Sequence, residues 1–142
     1  MATNKIDASK CFVCGKNNNT GLQIEFRMEK GMCLGQFHGH PNLVGFGDVI
    51  HGGIIYSILD DAMANWFYLQ GEIGYTAKAD IRYRSPMRVG DTGLVRSQLI
   101  TRKGKLLVMK SDLIIEETKS IIAECEGKFI LSTSDSYSLK SN

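Results

Sequence analysis

Hydrophobic residues recur every three to four positions over residues 50–70, a spacing that predicts one amphipathic α-helix of about that length. Gly71 follows the last periodic residue and is a common stop signal. On a helical wheel, Ser57, Asp61 and Tyr68 fall on the side opposite the apolar stripe, so Asp61 is predicted to be a solvated surface acid. The predicted stripe consists of Ile55, Ile58, Leu59, Ala62, Met63 and Trp66.

Alternating apolar and polar residues predict β-strands on both sides of the helix. Before it, residues 22–28 and 32–39 predict a hairpin, and the Gly, Pro and Asn residues of 40–49 predict a long loop. The buried face of the first strand is predicted to hold Leu22, Ile24, Phe26 and Met28. The strands predicted after the helix cover residues 76–86, 92–102, 106–117 and 121–131. This order predicts an α+β fold in which an antiparallel sheet of five to six strands wraps around one central helix.

The composition is that of an ordinary globular chain, with 142 residues, 43% hydrophobic and 23% charged. We expect a single domain over residues 1–142, with loose polar tails at 1–10 and 133–142. A net charge of +2 without a basic block argues against nucleic acid. No apolar run reaches the roughly 20 residues of a membrane span, and no hydrophobic segment opens the chain, so we expect a cytoplasmic protein.

The sheet is expected to use one face to cover the helix and to carry apolar residues on the other face as well. An apolar outer face would be unfavourable in water. We therefore expect a homodimer that extends the sheet.

Two adjacent acids lie in the middle of the predicted helix, and the wheel distinguishes them. Asp60 sits at the edge of the apolar stripe, with Tyr56, Met63 and Ala64 as its neighbours one turn away. Partial removal from water raises the pKa of a carboxyl group towards the range of a general base. Asp60 is therefore the candidate catalytic acid, and the alternative is a boundary residue held by some hydrogen-bond donor.

Two glycines, Gly52 and Gly53, open the helix. Helix N-termini present unpaired N–H groups, and glycine lets a ligand approach them closely, so this turn could stabilise an oxyanion. The alternative is that the glycines only permit a tight turn. Gly53 and Asp60 lie roughly 10 Å apart along a helix axis. If both act on one carbonyl group, they must come from two subunits with antiparallel helices.

Cys11 and Cys14 form a CxxC followed by a turn sequence. A structural turn is the favoured interpretation, and no metal is expected. A zinc site would need further ligands, for which His38 and His40 are candidates. A redox pair would be expected at the start of a helix after a strand.

The segment "HGGIIYSILDDAMA" resembles the helix signature of hotdog-fold acyl-CoA thioesterases of the phenylacetate-pathway, PaaI-like branch. "TAKADIRYRSPMRVGD", "CFVCG" and "GFGDVIHGG" resemble further segments of that family, and the resemblance covers about residues 11–131. The positions that match the helix signature are His51, Gly52, Gly53, Asp60, Ala62 and Ala64.

The resemblance implies a hotdog fold, a dimer or a dimer of dimers, and hydrolysis of an acyl-CoA thioester. It implies that Asp60 acts as nucleophile or general base and that the Gly53 N–H polarises the thioester carbonyl. His51 is expected to shape the loop, and Ser85 matches a residue that holds water in some relatives. Gly45 stands where some relatives have a water-orienting amide, a role for which Asn42 is the candidate substitute.

Coenzyme A would be part of the substrate, and no separate cofactor is expected. Its phosphates suggest Arg82 and Arg84 as ligands, although exposed strand arginines are the alternative. Two other functions stay open: a hotdog dehydratase or hydratase, and a non-catalytic acyl-CoA-binding protein. The expected substrate-binding residues are Gly52, Asn42, Phe46, Tyr56, Met63, Phe67, Arg82 and Arg84.

Overall fold

The computed structural model describes residues 6–132 and contains one long α-helix and six β-strands. A short 3₁₀ turn, Pro41–Leu43, lies in the long loop before the helix. The elements are β1 (Arg27–Glu29), β2 (Met32–His38), α1 (Gly52–Tyr68), β3 (Ile73–Tyr83), β4 (Thr92–Lys103), β5 (Leu106–Ile115) and β6 (Ile121–Ser132).

The six strands form one antiparallel sheet in the order β1-β2-β4-β5-β6-β3, and α1 packs across it. The predicted α+β layout, with its central helix and up to six strands, is confirmed. The crossover after α1 sends β3 to the far side of the sheet, beside β6. β3, with 11 residues, is therefore one edge of the sheet, and the three-residue β1 is the other.

The apolar stripe of α1 is buried as predicted, with one exception. Ile58, Leu59, Ala62 and Met63 have no exposed surface, whereas Trp66 is half-buried and donates its indole N–H to the Gly31 carbonyl (2.9 Å). Phe67, one turn after Met63 and outside the predicted stripe, is 2% exposed and completes the core at this end of the helix.

Two buried serines fasten the helix backbone to the middle of the sheet. Ser97 of β4 donates to the Ala62 carbonyl (2.6 Å), and Ser111 of β5 donates to the Leu59 carbonyl (3.0 Å). Both hydroxyls are satisfied although they are nearly fully buried, as buried polar groups must be. These bonds fix how α1 is rotated about its own axis.

The prediction of a strand over residues 22–28 is wrong in its extent. The strand is limited to β1 because Gln23 adopts a left-handed conformation (φ 53°). The residues just before β1 bond to the N-terminal loop instead. There the Ile24 N–H donates to the Val13 carbonyl (2.9 Å). The predicted alternation still holds, since Ile24 is only 3% exposed.

The prediction of a loose segment over residues 1–10 is wrong for its described part. The Tyr68 hydroxyl donates to the Ile6 carbonyl (2.7 Å), and the Asn17 N–H donates to the Ser9 carbonyl (2.8 Å). These bonds attach residues 6–10 to the end of α1 and to the following loop. The predicted tails at 1–5 and 133–142 lie outside the described residues.

The expectation of an apolar outer sheet face is also wrong. On the middle strands, that face carries charged residues at paired positions of adjacent strands. For example, Arg96 of β4 and Asp112 of β5 form an ion pair through two hydrogen bonds of 2.9 Å each. Opposite charges on adjacent strands stabilise a solvated face. Any dimer must therefore be explained by another surface. Among the described residues, no helix is long and apolar enough to cross a membrane.

We predict that replacing Phe67 with alanine destabilises the protein by about 3–5 kcal/mol. Phe67 is 2% exposed, and its ring packs edge-on against Phe129 with ring centroids 5.5 Å apart, so truncation leaves a cavity. Urea unfolding at fixed protein concentration measures the change. Leu69→Ala, at a position 39% exposed, is the control and should lose less than about 1 kcal/mol. Similar losses in the two variants would contradict the assignment of Phe67 to the core.

Candidate active site

Asp60 is half-buried on the side of α1 that faces β3. The Thr76 hydroxyl donates to Asp60 Oδ1 (2.7 Å). Burial raises the pKa of the Asp60 carboxyl, and the hydrogen bond from Thr76 opposes this rise. One carboxylate oxygen is thus held by Thr76, and the group as a whole is shifted towards the pKa range of a general base.

A β-bulge in β3 aims Thr76 at the helix. Thr76 pairs with Phe129 of β6 and Lys78 pairs with Lys128, so Ala77 is the extra residue between them. Side chains alternate along a strand, and Thr76 would otherwise lie on the face opposite Ala79. The extra residue reverses the alternation, and therefore Thr76 and Ala79 both face α1.

His51 is the N-cap of α1 and determines which N–H groups the helix start offers. Its Nδ1 accepts the Gly53 N–H (2.8 Å), so this nitrogen is unprotonated in the cap. A Cβ at Gly53 would lie 3.1 Å from the imidazole ring, tighter than ordinary contact. The N–H of the predicted oxyanion donor, Gly53, is therefore used within its own chain.

Gly52 is the first residue of α1 and offers a different arrangement. Its carbonyl accepts the Tyr83 hydroxyl of β3 (2.7 Å). Within residues 6–132, no acceptor engages the Gly52 N–H. A helix N-terminus carries partial positive charge, so this N–H is suited to an oxygen that gains negative charge.

Gly52, Tyr56 and Asp60 follow one another at four-residue intervals and therefore share one side of α1. Because of this spacing, the pKa of the Tyr56 hydroxyl is raised first by burial and then by the negative charge of Asp60. Gly52 and Asp60 are two turns apart, about 12 Å along the axis. A single carbonyl group cannot contact both within one chain.

Two of the predicted substrate-binding residues lie in the core. Met63 has no exposed surface, and Phe67 packs on Phe129. Met63 belongs to the apolar stripe and Phe67 lies one turn after it, so both fill the interior between helix and sheet. Phe46, by contrast, is 93% exposed in the loop before α1, and Asn42 is exposed in the 3₁₀ turn. Within residues 6–132, neither residue forms a hydrogen bond with Asp60.

The remaining predicted residues lie at the end of β3 or just after it. Ser85 donates its hydroxyl to the Ile121 carbonyl (2.7 Å), which attaches the chain after β3 to the start of β6. Arg84 forms an ion pair with Glu124 (2.6 Å) on the outer face. Arg82 is exposed on the same strand. Ser85 thus has a structural bond, while Thr76 occupies the position beside Asp60.

Asp61 is not the solvated surface acid that the helical wheel predicts. The Cys11 thiol lies 3.6 Å from Asp61 Oδ1, and the Asn65 side-chain amide donates to Asp61 Oδ2 (2.9 Å). Burial raises the pKa of the Asp61 carboxyl. The wheel fails here because the N-terminal loop, some 50 residues away in sequence, packs on that side of α1.

Thr76 is the site residue that sequence reasoning missed. It is the first residue of the strand predicted over 76–86, and the bulge at Ala77 hides the face on which Thr76 lies. The available signal is a hydroxyl residue near the start of the first strand after the helix.

Comparison with known proteins identifies one matching family model, the thioesterase superfamily, over residues 47–122. The acyl-coenzyme A thioesterase THEM4 of Bos taurus is 26% identical over 119 residues, covering 84% of this chain and 45% of that protein. The chain thus spans about half the length of this relative.

Solved structures show the same fold. The PaaI protein from the phenylacetic acid degradation operon of E. coli superposes with a TM-score of 0.71 at 21% identity, over 77% of this chain and 83% of that one. A thioesterase protein of Streptococcus pneumoniae, solved with coenzyme A, gives a TM-score of 0.71 at 15% identity, over 77% and 85%. That protein has also been solved with one Asp and, separately, one Thr replaced by Ala, at positions 16 apart.

We predict that Thr76→Val raises the pKa of Asp60 further, because it removes a hydrogen bond that favours the ionised carboxylate. Carboxyl ¹³C NMR titration measures the midpoint for Asp60. Thr76→Ser keeps the hydroxyl donor and is the control, with a midpoint near that of the unmodified protein. An Asp60 midpoint that stays the same in Thr76→Val would show that the hydroxyl does not interact with this carboxylate in solution.

Proposed function

The chain belongs to the thioesterase superfamily and has the hotdog fold, and from that premise we propose that it hydrolyses an acyl-CoA thioester to a free acid and CoA. The match to an acyl-coenzyme A thioesterase supports this reaction, and the coenzyme A in the Streptococcus pneumoniae structure supports the leaving group. The observation that carries the proposal is the half-buried Asp60 carboxyl held by Thr76.

In the proposed mechanism Asp60 is the general base. Thr76 holds Oδ1, and the other oxygen, Oδ2, accepts a proton from the water that attacks the thioester carbon. The raised pKa makes the carboxylate a stronger base than an exposed aspartate. The spacing of Asp60 and Thr76 equals that of the two residues replaced in the Streptococcus pneumoniae protein, which supports their joint role.

The proposed oxyanion donor is the N–H of Gly52. The sequence favoured Gly53, but the His51 cap occupies the Gly53 N–H. The Tyr83 bond to the Gly52 carbonyl holds the following peptide unit and so helps to fix the first turn of the helix. His51 then contributes by fixing the helix start, as its N-cap bond suggests. A donor aimed at the developing oxyanion contributes about 3–4 kcal/mol to lowering the barrier in comparable hydrolases.

We propose that each active site combines two subunits, because Gly52 and Asp60 of one chain are about 12 Å apart along the helix. In the sheet formed by residues 6–132, the 11-residue β3 is an edge strand, and an edge strand of that length pairs readily with another strand. Antiparallel pairing of two β3 strands about a twofold axis would bring the two helices alongside each other. Gly52 of one chain would then meet Asp60 of its partner.

Substrate contacts follow from the same arrangement. Tyr56 lies between the two catalytic positions on α1 and is the proposed wall of the acyl site, together with the exposed Phe46 of a loop. Arg82, exposed on the edge strand β3, is the better candidate for a CoA phosphate, because Arg84 is engaged by Glu124.

We predict that Asp60→Asn lowers the kcat of acyl-CoA hydrolysis at least ~100-fold, because the amide cannot accept the proton of water. Thiol release from a panel of acyl-CoA substrates measures the rate. In the unmodified enzyme, activity should fall as the pH drops through the raised pKa of Asp60, since the base must be ionised. Glu29→Gln, in β1 at the opposite sheet edge, is the matched control and should keep full activity.

Other outcomes of that assay would contradict the proposal. Formation or loss of an enoyl thioester without thiol release would indicate a dehydratase or hydratase. Binding of acyl-CoA with no turnover of any substrate would indicate a non-catalytic binding protein. Unchanged hydrolysis in Asp60→Asn would remove Asp60 from the mechanism.

We predict that Gly52→Pro lowers kcat by about 10²–10³-fold while α1 stays folded. Proline is well tolerated at the first helical position, and its main effect there is loss of the N–H. Gly52→Ala keeps the N–H and is the control, since a Cβ would make ordinary contact with the Tyr83 hydroxyl at 3.4 Å. Circular dichroism tests that the helix is retained. Equal activity of the proline and alanine variants would rule out this N–H as the oxyanion donor.

A further inference from the structure

The Cys11–Cys14 turn, which the proposed reaction does not use, packs against Asp61 of α1. The Sγ atoms of Cys11 and Cys14 and one carboxylate oxygen of Asp61 all lie within 4.8 Å of one another. All three residues are partly buried. Of the ion pairs formed within residues 6–132, none includes Asp61, so a carboxyl group and two thiols share a site without a cationic side chain.

From this cluster we propose that Cys11, Cys14 and Asp61 bind one Zn²⁺ ion that joins the N-terminal loop to the helix α1. Two sulfur ligands favour zinc over magnesium or calcium, which prefer oxygen. The separation of Cys11 Sγ and Asp61 Oδ1 is 3.6 Å. Two ligands of one tetrahedral zinc ion, at its usual Zn–S and Zn–O lengths, lie about 3.5 Å apart.

Backbone N–H groups of the turn surround the Cys11 sulfur, as is common for a cysteine that binds a metal. The backbone N–H groups of Val13 and Cys14 both point at Cys11 Sγ (3.4 and 3.5 Å), which stabilises negative charge on that sulfur. Gly15 closes the turn through its N–H bond to the Cys11 carbonyl (2.9 Å). A side chain at Gly15 would collide with the Cys11 backbone, so only glycine allows this geometry.

Asn65 supports the other two ligands from the next turn of α1. Its side-chain amide contacts Cys14 Sγ (3.6 Å) and donates to Asp61 Oδ2 (2.9 Å) and to the Asp61 carbonyl (3.0 Å). Asn65 is 6% exposed. Hydrogen-bond donors that orient and stabilise anionic ligands are a regular part of metal sites.

Three protein ligands leave one position of a tetrahedral ion for water or another small ligand. A cavity of about 230 Å³ adjoins the cluster and can admit this fourth ligand. Its lining includes Cys11, Cys14, Asp61 and residues 6–8. His38 and His40, the sequence candidates for completing a zinc site, lie at and just after the end of β2 and line a separate cavity.

Metal analysis of the full-length chain tests the proposal without using activity, so its result is independent of the proposed reaction. The chain is produced without a polyhistidine tag in zinc-containing medium, under reducing conditions. We expect about one zinc per chain by mass spectrometry, at least ~10-fold less in Cys14→Ser, and unchanged zinc in the control Cys125→Ala, which removes a thiol outside the cluster.

Cobalt binding keeps the proposal testable if Cys14→Ser does not fold. The unmodified chain, stripped of metal by a chelator, is titrated with Co²⁺ alone. We expect a thiolate-to-cobalt charge-transfer band, and about 10–100-fold weaker binding in Asn65→Ala. A purified chain that contains no zinc and gives no such band overturns the proposal. A Cys11–Cys14 disulfide in metal-free protein overturns it as well.

Discussion

Packing of the apolar stripe of α1 against the concave face of the sheet fixes the rotation of the helix about its axis. Ile58, Leu59 and Ala62 are fully buried, and the carbonyls of Leu59 and Ala62 accept hydrogen bonds from two buried serines. Consecutive helix residues point about 100° apart. Once the stripe is fixed, the directions of the two acids that follow Leu59 are therefore fixed as well.

This constraint explains why the helix carries two adjacent acids. Asp60 is turned towards the edge strand β3, where Thr76 meets it, and Asp61 is turned towards the N-terminal loop, where Cys11 meets it. Both carboxyl groups have raised pKa values because both are partly removed from water. The two proposals, a general base and a metal ligand, thus depend on a single packing arrangement.

The elements whose pattern is local could be predicted from the sequence. The helix was predicted over 50–70 and begins and ends at Gly52 and Tyr68, and the last three strands deviate by two residues or fewer at each end. Asp60 was also distinguished from Asp61 by its position at the edge of the stripe. Periodicity and family resemblance led to the same residue.

The parts that could not be predicted depend on contacts between distant segments. The side chain that meets Asp61 comes from a loop 50 residues away, and no helical wheel contains that information. The bulge at Ala77 reverses the alternation of β3, so Thr76 could not be placed by counting. The His51 cap depends on the rotamer of its side chain. In this rotamer the imidazole accepts the Gly53 N–H, so the Gly52 N–H is the one left to bind a ligand.

Subunit complementation is the measurement that tests most directly whether a helix N-terminus and a carboxylate from two chains form one site. Asp60→Asn and Gly52→Pro subunits, each inactive alone, are co-expressed, and native mass spectrometry verifies that mixed dimers form. Each mixed dimer retains one intact site, so random mixing should restore about a quarter of the normal activity. Activity that stays at the level of the two parents in a preparation rich in mixed dimers would contradict a shared site.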